Sequence, residues 1–267
     1  MNTNIHDLFD LSGKVAMITG GATGIGKGIA SRLAEAGAAV VILDVSEKAG
    51  RETANEITQS GKSAAFLQVD VSRVSDADEA VNFTMMKYGR LDILVNGAGI
   101  FNPVFPIDMT EEIWDRHLDI NLKGMMFFSK AAAKSMIAAD HGGKIINIAS
   151  VDGLRPTMPN IAHYDASKGG VVMLTQALGL AWAPMGILVN AIAPGVINTQ
   201  GAMKMAQALI AQGAMTNEQF GSFSAQIPLR RMGEPDDIGK VALFLASGAS
   251  DYMVGHTIVV DAGLVLM

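Results

Sequence analysis

Short hydrophobic segments alternate with longer amphipathic segments along the whole chain. The short segments are rich in β-branched residues and occupy positions 14–19, 39–43, 64–69, 91–96, 143–150, 187–193 and 256–261. They are continuously apolar rather than alternating, which is typical of parallel strands that are covered by helices on both faces. The pattern therefore predicts an α/β fold with a doubly wound parallel sheet of about seven strands and helices on both faces.

The composition fits one folded unit. Of the 267 residues 49% are hydrophobic and 17% are charged, and no linker or repeat interrupts the pattern. Residues 1–267 are therefore predicted to form a single domain with a large buried core.

Charge and cysteine content exclude several classes of partner. The net charge is −6 and the sequence shows no basic cluster, so nucleic acid is not expected as a partner. The chain has no cysteine, which excludes disulfides and thiolate metal sites. The polar segment at 1–14 lacks the pattern of a secretory signal, and no apolar run reaches the ~20 residues that span a bilayer. We therefore expect no membrane partner and a cytoplasmic location.

A glycine-rich turn follows the first predicted strand, in the sequence TGGATGIG, and a helical run follows the turn. Gly20 permits a tight turn, Gly24 lets a pyrophosphate approach the backbone, and Gly26 lets the helix pack closely on the sheet. Glycine clusters are common in ordinary turns, so this signal is weak alone. The turn predicts a dinucleotide site that includes Thr23 and Ile25 beside the three glycines.

Asp44 strengthens this interpretation and indicates which dinucleotide binds. It ends the second predicted strand, 18 residues after Gly26. A carboxylate there can accept hydrogen bonds from both hydroxyls of the adenosine ribose, whereas it would repel a 2′-phosphate. Neither Ala22, Thr23 nor the adjacent Val45 supplies a compensating cation. We therefore predict NAD as the cofactor, with Asp44 and Val45 at the ribose.

The spacing G-x-x-x-G-x-G resembles that of the short-chain dehydrogenase/reductase family, and the resemblance extends over essentially the whole chain. It implies a Rossmann-type domain in which Asp70 and Val71 flank the adenine and Asn96-Gly97-Ala98-Gly99 lines the nucleotide. The family usually has Asn-Asn-Ala-Gly in this last segment. Gly97 removes a side chain that could hydrogen-bond, which puts some rigidity of the sheet centre in doubt.

A further segment that resembles the family follows the sixth predicted strand. Pro194, Gly195, Ile197 and Thr199 resemble the family segment that encloses the nicotinamide. The resemblance implies that the backbone at Ile197 and the hydroxyl of Thr199 hold the carboxamide. By itself a Pro-Gly pair indicates only a turn.

Tyr164 and Lys168 are four residues apart at the start of an apolar helical segment, so their side chains can meet on one helix face. A phenol can protonate a ketone oxygen, and a phenolate can deprotonate an alcohol. A neighbouring ammonium and the positively charged nicotinamide are expected to lower the phenol pKa. The alternative is a tyrosine that packs through its ring beside a solvated lysine.

The family resemblance implies three further roles. Lys168 also binds the nicotinamide ribose, so that Tyr164 and Lys168 both belong to the cofactor site. Ser150, at the end of the fifth strand, holds the substrate oxygen, and Asn121, in a helix predicted at 111–138, holds a water that relays protons from the lysine. Two ordinary alternatives stay open, since Ser150 also fits a strand-end serine and Asn121 a polar helix position.

The five histidines show no spacing that is typical of a metal site, so no catalytic metal is predicted. His163 precedes Tyr164, but adjacent helical residues point apart. For His163 a surface or substrate-facing position and a functional role both stay open.

The segment 198–226 lacks strand character and is predicted to form a substrate lid. It is rich in methionine and its only charged residues are Lys204 and Glu218, which favours a hydrophobic or weakly polar carbonyl compound as the substrate. A polyol or sugar-type alcohol dehydrogenase of the same family is the alternative. A non-catalytic NAD-binding protein is a third one, but it would require a damaged catalytic set.

The helical segment 171–182 is apolar nearly all round, and the last residues of the chain are also apolar. One side of this helix is expected to meet the sheet and the other a second subunit. We therefore predict a homo-oligomer, with a homotetramer as the expected form.

Overall fold

In a computed structural model of the protein, seven parallel strands form one sheet. The structure describes residues 4–211, 216, 225 and 227–267. The strands are β1 (Val15–Thr19), β2 (Ala39–Asp44), β3 (Ala64–Gln68), β4 (Ile93–Asn96), β5 (Gly143–Ile148), β6 (Ile187–Pro194) and β7 (Thr257–Val260). Their order is β3-β2-β1-β4-β5-β6-β7. Each predicted segment contains one strand, and the predicted fold class is confirmed.

Helices cover both faces of the sheet. They are α1 (Ile5–Leu8), α2 (Gly24–Glu35), α3 (Glu47–Gln59), α4 (Ser75–Tyr88), α5 (Glu111–Leu118), α6 (Gly124–Ala138), α7 (Ala162–Trp182), α8 (Gln200–Ala211) and α9 (Pro235–Ala246). Alternate residues of the strands enter two hydrophobic clusters. Ile18 and Ile42 belong to the cluster that contains α2 and α9, whereas Met17 and Val41 belong to the cluster that contains α4 and α6. Burial on both faces explains why the strands are continuously apolar.

The helix predicted over 111–138 is present, but it is not a regular α-helix throughout. A π-helical segment, Asp119–Lys123, separates α5 from α6. Such a segment accommodates one extra residue in a helix and occurs frequently at functional sites. Its central residue, Asn121, is fully buried and bonded to other parts of the chain, which explains why the regular helix is interrupted there.

The strand order reverses beside β1, because β1 pairs with β2 on one side and with β4 on the other. In open parallel sheets ligands bind at the carboxyl ends of the strands at such a reversal. The loops after β1, β4, β5 and β6 meet at this edge, and they contain the sequence-predicted site residues.

Helix α8 occupies the first part of the predicted lid. Residues 212–215, 217–224 and 226 of that segment lie outside the described residues, so the lid stays a prediction. Within the described part of the chain, no helix combines the length and apolarity needed to cross a membrane.

Candidate active site

The turn between β1 and α2 has the shape that a dinucleotide phosphate requires. Gly20 and Gly24 have φ values of +66° and +53°, which favour glycine. A Cβ atom on Gly26 would lie 2.1 Å from the Gly20 carbonyl oxygen, so only glycine fits there. Thr23 is the N-cap of α2 without a capping side-chain bond, and Ile25 is in the first helical turn. The amide groups of this turn are therefore suited to an anion.

The Asp44 carboxylate lies at the carboxyl end of β2 and is held by the backbone. It accepts hydrogen bonds from the amides of Ala22 (3.2 Å) and Ser46 (3.0 Å). A carboxylate has about four acceptor positions, so capacity for ribose hydroxyls is left. Val45 beside it is exposed.

Two cations close to this end of the sheet are engaged by carboxylates. Lys27 pairs with Glu56 at 2.6 Å, and Arg51 pairs with Glu47 at 2.8 Å. A cleft of about 630 Å³ extends from the glycine turn to Asn198–Gln200 and contains Lys27 and Glu56 in its wall.

Asp70 and Val71 follow β3 directly. The Asp70 carboxylate accepts hydrogen bonds from the Ser72 amide (3.0 Å) and hydroxyl (2.7 Å), and the hydroxyl bond holds the Asp70 pKa below its usual value. Val71 is buried, and its carbonyl oxygen is so near Gly124 that a Cβ there would come within 2.5 Å of it. Both residues therefore lie in a rigid turn at the predicted adenine end.

The side chain of Asn96 points into the protein. Its amide donates to the Ser129 hydroxyl (2.9 Å) and to the Asn147 side-chain oxygen (2.8 Å). Only the backbone of 97–99 is therefore left to face a nucleotide in this segment. The Thr19 hydroxyl accepts from the amides of Gly97 (3.1 Å) and Ala98 (3.2 Å), so backbone bonds replace the side chain that Gly97 lacks.

At the predicted nicotinamide end, Pro194 is the last residue of β6 and Ile197 forms an isolated parallel bridge with Gly233. A Cβ on Gly195 would lie 2.8 Å from the Cα of Asp261, which explains the glycine. The Thr199 hydroxyl accepts from the Ala202 amide at 3.1 Å at the start of α8. Its hydrogen is still available for a carboxamide oxygen.

Tyr164 and Lys168 share one face of α7, and Ser150 lies opposite them at the end of β5. The Lys168 ammonium, only 4% exposed, donates to the Ile148 carbonyl at 2.8 Å and lies 5.7 Å from the centroid of the Tyr164 ring. Ser150 hydrogen-bonds with the Tyr164 hydroxyl. Burial lowers the pKa of Lys168 to about 8.

The expectation that Lys168 and the oxidised nicotinamide together favour the phenolate stays a prediction, and the protein's other groups act against it. Burial raises the pKa of Tyr164 above its ordinary value, the bond with Ser150 counteracts this only in part, and the carboxylates of Asp152 and Asp165 raise the pKa further. Desolvation of the phenolate is thus the largest effect on the Tyr164 pKa. The Tyr164 phenol is therefore protonated at neutral pH.

Asn121 connects the loop that follows β4 to helix α7. Its side-chain oxygen accepts from the Ile100 amide at 2.8 Å, and its side-chain nitrogen donates to the Ile100 carbonyl (3.0 Å) and the Ser167 hydroxyl (3.1 Å). Both amide hydrogens are used, so the side chain can hold a water only through its oxygen.

His163 is neither at the surface nor facing the site. It is fully buried, and its ring packs against that of His117. The described residues contain no group of three or more His, Asp or Glu side chains that could hold a metal ion.

Sequence reasoning missed Asp152 and Phe101. Asp152 accepts a hydrogen bond from the Ser150 hydroxyl at 2.9 Å, and the Phe101 ring packs edge-on against Tyr164 with 4.9 Å between centroids. The position of Asp152 two residues after a strand-end serine was a usable signal, whereas nothing in the sequence indicated Phe101.

The chain belongs to the short-chain dehydrogenase/reductase family, whose members are oxidoreductases that use a nicotinamide cofactor. The family model described as "Enoyl-(Acyl carrier protein) reductase" matches residues 20–265. A 2-dehydro-3-deoxy-D-gluconate 5-dehydrogenase of Dickeya dadantii is 40% identical over 97% of this chain and 98% of its own length. A galactitol 2-dehydrogenase of Agrobacterium fabrum is 41% identical over 95% and 98%, respectively.

Solved structures agree with this assignment. A short-chain type dehydrogenase/reductase from Mycobacterium marinum superposes with a TM-score of 0.89 at 38% identity, covering 97% of this chain and 98% of that one. A structure from Agrobacterium tumefaciens with bound NADP has a TM-score of 0.85 at 36% identity, covering 98% and 100%.

Proposed function

We propose that the protein is an NAD-dependent dehydrogenase that transfers a hydride between NAD(H) and a secondary alcohol group of a polyol or sugar-type substrate. The observation that carries this proposal is the grouping of Tyr164, Ser150 and Lys168 at the sheet edge that also holds the glycine turn. Residues 1–267 act as one catalytic domain in this proposal, with 198–226 as its lid.

Each side chain of the group has a separate task. Tyr164 accepts the proton of the alcohol or returns it to the ketone, while Ser150 holds the same oxygen. Lys168 has one hydrogen directed at Ile148, which leaves two for the ribose hydroxyls of the cofactor. Asn121 supports this arrangement by bonding to Ser167 of the same helix.

When bound, the nicotinamide supplies the hydride acceptor or donor, and its positive charge in the oxidised form favours the phenolate. The residues of the site agree with such a group. The glycine turn leaves room for phosphates where a Cβ would intrude, and Thr199 offers a hydroxyl hydrogen.

NAD rather than NADP is proposed on the basis of Asp44. Its carboxylate is fixed at the end of β2, and the cations Lys27 and Arg51 already pair with carboxylates. The bound NADP of the Agrobacterium tumefaciens structure shows that a chain with this fold can bind NADP. The choice therefore depends on the local charge.

A polar substrate is favoured over the hydrophobic carbonyl compound that was expected first. The two relatives are named for a sugar acid and for a sugar alcohol. Two carboxylates, those of Asp152 and Asp165, also act on the phenol. Of the three methionines of the lid that suggested an apolar ligand, Met203 and Met205 lie in α8 and Met215 lies outside the described residues.

The homotetramer also stays a proposal, as does the cytoplasmic location. Buried residues of α7 lie on one side of the helix, while Met173 and Leu180 are 63% and 83% exposed. An apolar face of this kind is suited to a second copy of the chain. Sedimentation that shows a stable monomer at micromolar concentration would contradict the oligomer.

The test is a screen of alcohols with NAD at alkaline pH, in which the formation of NADH is followed by absorbance. Tyr164→Phe is expected to lower kcat roughly 10²–10⁴-fold while NADH still binds, because only proton transfer is removed. Tyr252→Phe is the matched control, since Tyr252 is fully exposed. Undiminished turnover by Tyr164→Phe would refute the proposal.

A further inference from the structure

We propose that Asp152 determines the substrate class: its carboxylate receives a hydroxyl group next to the reacting carbon, so that the enzyme selects neutral polyols over sugar acids. This inference rests on the proposed function and deepens it. Asp152 acts as a specificity residue rather than in the proton transfer itself.

Asp152 is joined directly to the serine of the site. The Ser150 hydroxyl donates to one carboxylate oxygen of Asp152 at 2.9 Å, and the Asp152 amide donates back to the Ser150 hydroxyl at 3.2 Å. Ser150 in turn hydrogen-bonds with Tyr164. The carboxylate is therefore one side chain away from the place of the reacting oxygen.

Asp152 has capacity for a ligand. Its second carboxylate oxygen accepts from the Thr157 hydroxyl, so two of about four acceptor positions are used. The side chain is half-buried, so part of it is open to a ligand. The single hydrogen of Ser150 cannot serve Asp152 and a substrate oxygen at once. A substrate hydroxyl that replaces Ser150 at Asp152 would release the serine hydrogen to the reacting oxygen.

The charges around the phenol are unfavourable for an anionic substrate. Asp152 and Asp165 both act on Tyr164, and burial followed by the charge of Asp152 raises the Asp165 pKa to about 6. The Asp165 carboxylate is therefore ionised above this pH. Arg155, the cation of the same loop, donates to the carbonyl oxygens of Val265 (2.9 Å) and Met267 (2.6 Å).

A different role for Asp152 has to be separated from this one. Its bonds to Ser150 and Thr157 also anchor the loop that follows β5. An anchor would influence all substrates alike, whereas a specificity residue changes the ratio between substrates. The ratio is therefore the quantity to measure.

The experiment compares kcat/KM for galactitol and for D-gluconate, which have the same number of carbons but differ in charge. Wild type is expected to prefer galactitol, and Asp152→Asn to reduce that preference roughly tenfold through a lower KM for gluconate. Asp152→Ala is expected to lower kcat/KM for galactitol as well, since it removes the acceptor. Asp78→Asn, an equal change of charge at an exposed position of α4, should leave the ratio unchanged.

Salt provides an independent readout. Higher ionic strength screens the repulsion between Asp152 and gluconate. It should therefore reduce the preference of wild type for galactitol and leave that of Asp152→Asn unchanged.

Equal effects of Asp152→Asn on both substrates would overturn the inference and leave the proposed function intact. Oxidation of neither substrate nor of any other polyol by wild type would overturn both. Circular dichroism of each variant verifies folding, and Asp152→Asn keeps the test decisive if Asp152→Ala does not fold.

Discussion

The imidazole rings of His117 and His163 pack edge to face with 4.2 Å between their centroids. Nδ1 of His117 donates to the Ile113 carbonyl at 2.8 Å, and Nε2 of His163 donates to the Asn102 carbonyl at 2.9 Å. The other nitrogen of each ring is buried without a hydrogen-bond partner. The pair connects α5 to α7, the helix that holds Tyr164.

This pair should make stability depend on pH. Burial, with a smaller contribution from the neighbouring His163, lowers the pKa of His117. The unfolded chain therefore binds a proton before the folded one does, and stability falls as the pH decreases below ~6.5. His117→Phe keeps a ring in place without a titrating group. Its free energy of unfolding should fall less between pH 7 and pH 5 than that of wild type, as measured with urea.

The exposed His141 offers a control, and His141→Gln should retain the wild-type pH dependence. Parallel curves for wild type and His117→Phe would disprove the role assigned to the pair.

Lys168 should reduce the stability of the protein at neutral pH. Its pKa of about 8 in the folded state lies below the ordinary value of ~10.4, so the folded protein disfavours the charged form. Between these two values the unfolded chain binds more protons, and the stability of wild type rises with pH. At pH 7 the free energy of unfolding of Lys168→Met should therefore be about 1–2 kcal/mol higher than that of wild type. This figure already allows for the loss of the hydrogen bond to the Ile148 carbonyl.

The advantage of Lys168→Met should shrink as the pH rises above ~8 and disappear above ~10.4, where the lysine becomes neutral in both states. Lys134→Met, at an exposed position of α6, serves as the control. Urea unfolding at several pH values checks this, and a variant less stable than wild type at pH 7 would speak against the assigned desolvation.

Asp44 should govern the choice of cofactor. Asp44→Ser combined with Val45→Arg replaces an anion by a cation at the end of β2, where a 2′-phosphate would lie. The ratio of kcat/KM for NAD to that for NADP should change at least about 100-fold in favour of NADP. Initial rates with each cofactor measure this ratio. An unchanged preference would show that another part of the turn recognises the ribose.

Gly26 should tolerate no side chain. A Cβ would lie 2.1 Å from the Gly20 carbonyl oxygen and 2.8 Å from its carbon, so Gly26→Ala forces the turn and α2 apart. We expect the free energy of unfolding to fall by about 1–3 kcal/mol. NADH should also bind more weakly, which a fluorescence titration measures. Gly169→Ala is the comparison, since its nearest neighbour would be 3.7 Å away. Normal NADH affinity of Gly26→Ala would contradict the proposed phosphate contact.

The strands were predictable because burial on both faces leaves a continuous apolar signature, as in 39–43 and β2. The glycine turn was equally readable, since close packing at Gly26 excludes other residues. The interruption of the regular helix at Asn121 was not predictable. The hydrogen bonds that stabilise it join Asn121 to Ile100 and Ser167, which are distant in sequence.

The pKa of the Tyr164 phenol was a second feature that could not be predicted from the sequence. The pair Tyr164 and Lys168 suggested an acidic phenol, but the effect of burial on the phenol pKa depends on the surroundings that the fold provides. The contact of His163 with His117 likewise joins two helices that are far apart in sequence.

The π-helical turn at 119–123 sets the rotational phase between α5 and α6. Each residue of an α-helix turns by about 100° around its axis. Deletion of one residue there would rotate His117 away from His163 or Phe128 out of the core, depending on which half of the helix moved. The extra residue thus lets one continuous helix place His117 against His163 and also place Phe128 in the core, whereas a uniform α-helix could make only one of these two contacts.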